Sequence, residues 1–274
     1  MDILDKLRLT WHSSYKINKI RESIISIFRF GKGAEVIYIF GCQRSGTTII
    51  QKLLSLNTSV KFHGEGDQPY FYDPKSDKHH RIQPIGQIKE LIKKEPLKYI
   101  VIKPLYESHL ADKLLSGLPA SKGIWVFRNY LDVIDSHIHY YKQNAIEYIM
   151  PLYSPDTESW LNEELSDEIK NFINKFSPDK LTDADAYGLF WIVRNSLYWN
   201  VSDNSNVLLV NYEKLVNQPE QQITRIYNFI NLKFNKLFCK VIRSNAISKD
   251  VNFTLNPEIE EKCKQLNEAL LKQC

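Results

Sequence analysis

The stretch Val36-Ile37-Tyr38-Ile39-Phe40-Gly41-Cys42-Gln43-Arg44-Ser45-Gly46-Thr47-Thr48-Ile49-Ile50 decides the fold. Its first five residues are an unbroken run of β-branched and aromatic side chains, the pattern of a strand buried on both faces. Gly41–Gly46 reads as a loop. From Thr47 to Leu56 the residues Ile49, Ile50, Leu53 and Leu54 give a wide apolar face at helical spacing. Strand, glycine-bounded loop and helix is the frame of a phosphate-binding loop. Glycines let backbone N–H groups approach an anion, and the helix N-terminus adds partial positive charge and unpaired donors. Thr47 and Thr48 bring two hydroxyl donors. The spacing is one residue short of G-x4-G-K-[ST]: Thr47 stands where the lysine would be, and the positive charge has moved into the loop at Arg44.

The same alternation continues outward. Val60–His63, Tyr99–Lys103, Gly123–Phe127 and Val207–Val210 read as strands. Tyr130–Tyr141, with Leu131, Ile134, Ile138 and Tyr141 on one stripe, reads as a helix, as do most of Glu158–Asn204 and Glu220–Asn231. Short strands alternating with helices imply βαβ units. The expected fold is α/β, a P-loop-NTPase-like central parallel sheet with helices on both faces. Ligands of such sheets bind at the carboxyl ends of the strands, so the informative residues stand just after them. Residues 1–33 form a basic leader, with Ile17, Ile20, Ile24, Ile27 and Phe28 at helical spacing among Lys16, Lys19, Arg21 and Arg29. This is a helix packed on the domain or one lying on a membrane surface. Residues 34–274 are expected to form a single domain.

A second loop follows the Gly123–Phe127 strand. Arg128 stands where that strand leaves the sheet, and Ser136 lies on the helix face opposite the Leu131/Ile134/Ile138 stripe, where packing does not require it. Arginine recognises phosphate through a planar, bidentate fork, and serine adds one donor. Taken together, the two loops resemble those of the sulfotransferases that use 3′-phosphoadenylyl sulfate (PAPS). Arg44-Ser45-Gly46-Thr47-Thr48 matches the arginine form of that family's 5′-phosphosulfate motif, as found in tyrosylprotein and carbohydrate sulfotransferases. Arg128, Asp132 and Ser136 match the 3′-phosphate motif, a strand-end arginine followed by D-P-x-D-x-x-x-S, with Asn129-Tyr130 in place of Asp-Pro. Tyr212-Glu213-Lys214-Leu215 with Pro219-Glu220 is similar to the family's Y-E-x-L…P-E stretch, which implies a nucleotide contact for Tyr212. The resemblance spans roughly residues 35–232.

The resemblance implies sulfuryl transfer from PAPS to an acceptor hydroxyl, with 3′,5′-ADP as the product. Such a transfer needs cations where charge develops on the transferring oxygens, and a base for the acceptor proton. Arg44 is the first cation, and Lys103, at the end of its strand, the second. The histidine that cytosolic small-molecule sulfotransferases carry two residues beyond that lysine is Leu105 here. His63-Gly64-Glu65-Gly66-Asp67 instead resembles the C-G-E-E segment of tyrosylprotein sulfotransferases, which implies Glu65 as the base, with His63 and His109 in reserve. Arg243-Ser244 resembles a late Arg-Ser pair of that subgroup and implies that Ser244 contacts the phosphosulfate end.

Composition narrows the classes. Among 274 residues, 43% are hydrophobic and 25% charged, which is globular usage and rules out disorder and coiled coil. A net charge of +4 fits an anionic small ligand as well as a nucleic acid and falls short of a strongly basic binding domain, and no nucleic-acid partner is expected. No apolar run is long enough to span a bilayer. Cys42, Cys239, Cys263 and Cys274 show no metal-ligand spacing, and such sparse cysteines fit a cytoplasmic protein with no metal. The acceptor is an alcohol of a sugar, lipid, small molecule or peptide. A P-loop kinase or NTPase, and a catalytically silent nucleotide-binding protein, stay open as alternatives.

Overall fold

The computed structural model describes residues 33–74, 79–141, 144–154, 159–242 and 251–274. The basic leader at 1–33 lies outside them except for Gly33, and Arg243 and Ser244 lie outside them as well.

Five strands form the central sheet: β1 (Glu35–Gly41), β2 (Val60–His63), β5 (Tyr99–Ile102), β6 (Lys122–Phe127) and β7 (Val207–Asn211). They run in the order β2-β5-β1-β6-β7, and every pairing is parallel. The short β3 (Phe71–Tyr72) and β4 (Arg81–Ile82) make a separate antiparallel ribbon. Each expected strand is present within about a residue at either end. Consecutive strands of a sheet usually lie side by side, and the first two here do not. β2 does not border β1, because β5 inserts between them and leaves β2 at the edge.

The period of two along the strands divides the core. In β1, Val36, Tyr38 and Phe40 face one layer, while Ile37 and Ile39 face the other. The second layer is covered by α1 (Thr47–Ser55), through Ile50, Leu53 and Leu54, and by α9 (Pro219–Phe229), through Ile223, Ile226 and Tyr227. The first is covered by α3 (Ala111–Gly117), α4 (Tyr130–Tyr141), α7 (Asp183–Ser196) and α10 (Pro257–Lys272). The remaining helices are α2 (Ile85–Ile92), α5 (Ala145–Ile149), α6 (Asp167–Ile173) and α8 (Tyr212–Asn217). The region read as mostly helical, 158–204, is helical in α6 and α7 and in short 3-10 turns, with turns before α6. α7 starts on a capping box, in which Thr182 and Asp185 satisfy each other's backbone N–H.

Next to the edge strand, the nearly buried Glu95 carboxylate accepts from Lys61 Nζ at 2.8 Å and Tyr70 Oη at 2.9 Å, and lies 3.3 Å from His63 Nε2. Burial pushes this carboxyl up, but the neighbouring His63 and the hydrogen bonds from Lys61 and Tyr70 outweigh it and hold the group at about 2. A depressed carboxylate stabilises the fold above its unfolded value and loses that contribution as pH falls through its folded value. Stability on the order of 3 kcal/mol should therefore disappear between about pH 4.5 and pH 2. Urea unfolding across that window should show a flatter acid limb in Glu95→Gln than in the native chain. Parallel curves would show that the network does not hold the carboxyl down.

Candidate active site

Strand register brings the functional side chains together. His63 of β2 is paired with Ile102 of β5, and Lys103 N–H donates to the His63 carbonyl at 3.2 Å. Lys103 and Glu65 therefore leave the sheet side by side, and Lys103 Nζ lies 3.2 Å from Glu65. Gly41 of β1 is paired with Val126 of β6, which sets the loop carrying Arg44 beside the strand end carrying Arg128. Phe127 of β6 is paired with Asn211 of β7, so the Arg128 guanidinium stacks on the next residue, Tyr212, 4.7 Å from its ring centroid. Glu65 thus reaches the site from two strands away, where it meets Lys103, the residue that follows the intervening β5.

The Gly41–Gly46 loop is built around special backbone. Arg44 has φ 66° and Gly46 φ 90°, both left-handed. A Cβ on Gly46 would lie 2.2 Å from the Tyr212 ring, so both the turn and the close approach require glycine. Ser45 is fully buried and its hydroxyl has no hydrogen-bond partner, and neither polar atom of the buried Gln43 carboxamide has one. Buried polar groups without partners are costly, and here they stand in a loop shaped for an anion.

The two loops are joined through α4. Arg44 Nε donates to Ser136 Oγ at 2.9 Å, and its guanidinium lies 4.0 Å from the centroid of the Tyr140 ring. Arg128 pairs with Asp132 at 3.1 Å and lies 3.9 Å from Glu213. Asn129 caps α4 in place of aspartate: its side chain accepts from Leu131 N–H at 2.9 Å. Trp191 Nε1 on α7 donates to the Arg128 carbonyl at 3.0 Å and fixes the strand end.

A cavity of about 300 Å3 opens on this constellation, lined by Gln43, Arg44, Gly46, Thr47, Thr48, Glu65, Lys103, Leu105, Tyr106, Arg128, Ser136 and Tyr141. Burial raises the Glu65 carboxyl above the usual carboxylate range, and Lys103 and Arg194 pull it partly back. A carboxylate raised in this way is a stronger base than a solvated one.

A family model described as "Sulfotransferase domain" matches residues 35–269. The chain belongs to the sulfotransferase family. Among solved structures it is similar to a sulfotransferase domain from the curacin biosynthetic pathway, at 14% identity and TM-score 0.53, covering 85% of this chain and 98% of that one. It is also similar to the sulfotransferase domain of the Synechococcus PCC 7002 olefin synthase, at 13% identity and TM-score 0.50, covering 86% and 95%. The mouse sulfotransferase SULT7A1 complexed with PAP is similar at 15% identity and TM-score 0.48, covering 90% and 89%. At these identities the likeness is one of fold. No curated protein matches the chain.

Of the residues singled out in the sequence, Arg44, Gly46, Thr47, Thr48, Glu65, Lys103, Arg128 and Ser136 line the cavity. Ser45, in the same loop, is fully buried and does not line the cavity. Tyr212 is 4% exposed and walls the space between Gly46 and Arg128 from behind. The reserve histidines sit elsewhere. His63 pairs with Glu95 and packs on Tyr70, and His109 pairs with Glu163 at 2.9 Å. Neither lines the cavity. Sequence reasoning missed Gln43, Tyr106 and Tyr141 in the cavity wall. It also missed Arg194 behind that wall, which a lone charge inside the apolar run Leu189–Trp199 could have signalled. Among the described residues no His/Cys/Asp/Glu group is arranged to hold a metal ion, and no helix is long and apolar enough to cross a membrane.

Proposed function

We propose that this protein transfers the sulfuryl group of PAPS to an acceptor alcohol and releases 3′,5′-ADP. The observation that carries this reading is the pair of arginines at two strand ends, Arg44 and Arg128, which open with Ser136 into the one cavity that also holds Glu65 and Lys103. Two separated cationic loops suit a nucleotide phosphorylated at both its 3′ and 5′ ends, whereas a triphosphate needs its charge collected at one loop. The orphaned Ser45 hydroxyl and Gln43 carboxamide fit phosphate oxygens. PAPS supplies an activated sulfuryl group on its 5′-phosphate.

The chain's own residues do the rest. The loop backbone, Ser45, Thr47 and Thr48 hold the 5′ end, and Arg128 and Ser136 hold the 3′-phosphate. Arg44 and Lys103 set positive charge where negative charge develops on the transferring oxygens. Glu65 takes the proton of the acceptor hydroxyl, with Lys103 Nζ 3.2 Å away as its nearest cation. Leu105, Tyr106 and Tyr141 form the wall on which the acceptor rests.

Thermal unfolding tests the nucleotide class without an acceptor. At about 100 times its dissociation constant, 3′,5′-ADP should add about 2.7 kcal/mol of stability, a rise of about 5–10 °C in Tm. Magnesium-ATP should add much less. The reverse order would replace this reading with a P-loop kinase or NTPase.

A further inference from the structure

α7 carries one cation where packing asks for none. Arg194 is wholly buried, in a helix whose residues from Tyr187 to Val193 are also buried. Its guanidinium lies 4.9 Å from the centroid of the Trp160 ring. Nη2 donates to the Leu105 carbonyl, while Nε and Nη1 have no partner. Among the described residues no carboxylate lies within ion-pair distance of it. A buried, uncompensated charge is costly, and an apolar side chain of similar volume would fill the same space at less cost. Its place in the fold gives the charge a use. Leu105, whose carbonyl it holds, lines the cavity together with Glu65 and Lys103.

Groups from several elements interact electrostatically with this guanidinium: Cys42 from the first loop, Glu65 from the loop after β2, Tyr106 from the turn after β5, His109 from the 3-10 turn that follows it, and Tyr148 from α5. Only Glu65 is a carboxylate. Burial pushes the Cys42 thiol up to about 12 and the Tyr148 phenol upward, so neither supplies a counter-charge at neutral pH. Arg194 itself is pulled down by burial to about 10 and stays charged. Two cations, Lys103 and Arg194, face Glu65 in turn, with His80 beyond them. His80 is half-exposed and paired with Asp73, so solvent screens it.

We infer that Arg194 is a positioning residue for the transfer. From behind the cavity wall it holds a fixed positive charge next to the space that Glu65 and Lys103 share, and through the Leu105 carbonyl it fixes the Lys103-Pro104-Leu105 turn that aims Lys103. The inference rests on the reading of Glu65 as the base. Lys103 serves both Glu65 and the transferring group, and when it turns to the latter it leaves Glu65. A guanidinium locked in the core cannot leave. Glu65 therefore enters the reaction ionised although its nearest partner has moved.

Carboxyl-13C-labelled glutamate reports this without any acceptor. The Glu65 signal is identified by its loss in Glu65→Gln and followed against pH by NMR. Arg194→Met should raise the Glu65 midpoint by about one pH unit, a tenfold gain in proton affinity. 3′,5′-ADP affinity, measured by calorimetry on the same samples, should stay nearly unchanged. Lys103→Met should leave Glu65 largely ionised at about pH 7, and Lys103→Met/Arg194→Met should leave it neutral. An unmoved midpoint in Arg194→Met overturns the inference. So does a neutral Glu65 in Lys103→Met alone, which decides the matter should the Arg194 variants not fold. If the native chain fails to bind 3′,5′-ADP, the functional reading falls instead, whatever Glu65 does.

Discussion

Glu65→Gln should cut turnover by about 10²–10⁴-fold, the contribution of a positioned base, and leave 3′,5′-ADP affinity within about twofold. Glutamine keeps the shape and the hydrogen-bonding reach of the side chain and removes the basicity. Nucleotide affinity should survive because the phosphate ligands stand after β1 and β6 and on α1 and α4, while Glu65 stands after β2. Stability should move the other way. Burial holds the Glu65 carboxyl above its ordinary value. A carboxyl raised on folding favours the folded state at low pH, and that advantage is lost as pH rises through its folded value. At neutral pH the ionised group is therefore a burden that glutamine removes, so the variant should be at least as stable as the native chain. The acid limb of kcat/KM should accordingly lie above the range of a solvated glutamate. The measurement is turnover on the first acceptor that responds in a panel of sugars, lipids, small alcohols and tyrosine peptides. Near-normal turnover would eliminate Glu65. His63→Ala and His109→Ala offer the contrast: each breaks a buried pair with a glutamate, so each should cost stability before it costs turnover.

Much of this site was legible because its chemistry coincides with strand ends. Val36–Phe40 could be little other than a buried parallel strand, and Arg44 and Arg128 follow their strands at short distances that register then turns into proximity. Register itself was not legible. Nothing in Val60–His63 tells that β5 will insert beside β1, and hence that Glu65 will arrive through Lys103 and not by direct adjacency to the loop. The join between Arg44 and Ser136 was hidden for a similar reason. The two residues are separated by 92 positions, and only the packing of α4 on the first layer makes them partners. The 16-residue α10 is a different case, because its signal was on the page. Asn256 caps it, Pro257 opens it, and Ile259, Cys263, Leu266 and Leu270 recur on one face. The helix follows the last strand, so no strand end points to it. Tyr212 stands between the two loops, its ring against the glycine of one and the arginine of the other.

Arg128→Ala should weaken 3′,5′-ADP and PAPS by about 1.5–3 kcal/mol, roughly 10–150-fold, the scale of hydrogen bonds to a charged group. Adenosine 5′-phosphosulfate has no 3′-phosphate and should lose far less. The ratio between the ligands carries the test, because the substitution also disturbs the free protein. Asp132, 8% exposed, loses its partner at 3.1 Å, and the Tyr212 ring loses the guanidinium stacked on it. Those losses lower stability and touch both ligands equally. The strand end should hold its place, since Trp191 donates to the backbone carbonyl of residue 128, which alanine keeps. Arg128→Lys separates charge from geometry. It retains the positive charge near Asp132 and Glu213 but gives up the planar fork, so it should recover stability while recovering only part of the 3′-phosphate affinity. Calorimetry with the two nucleotides on both variants reads this directly. Equal losses for 3′,5′-ADP and adenosine 5′-phosphosulfate would show that Arg128 serves the fold through Asp132 and Tyr212, and that the 3′-phosphate is gripped elsewhere.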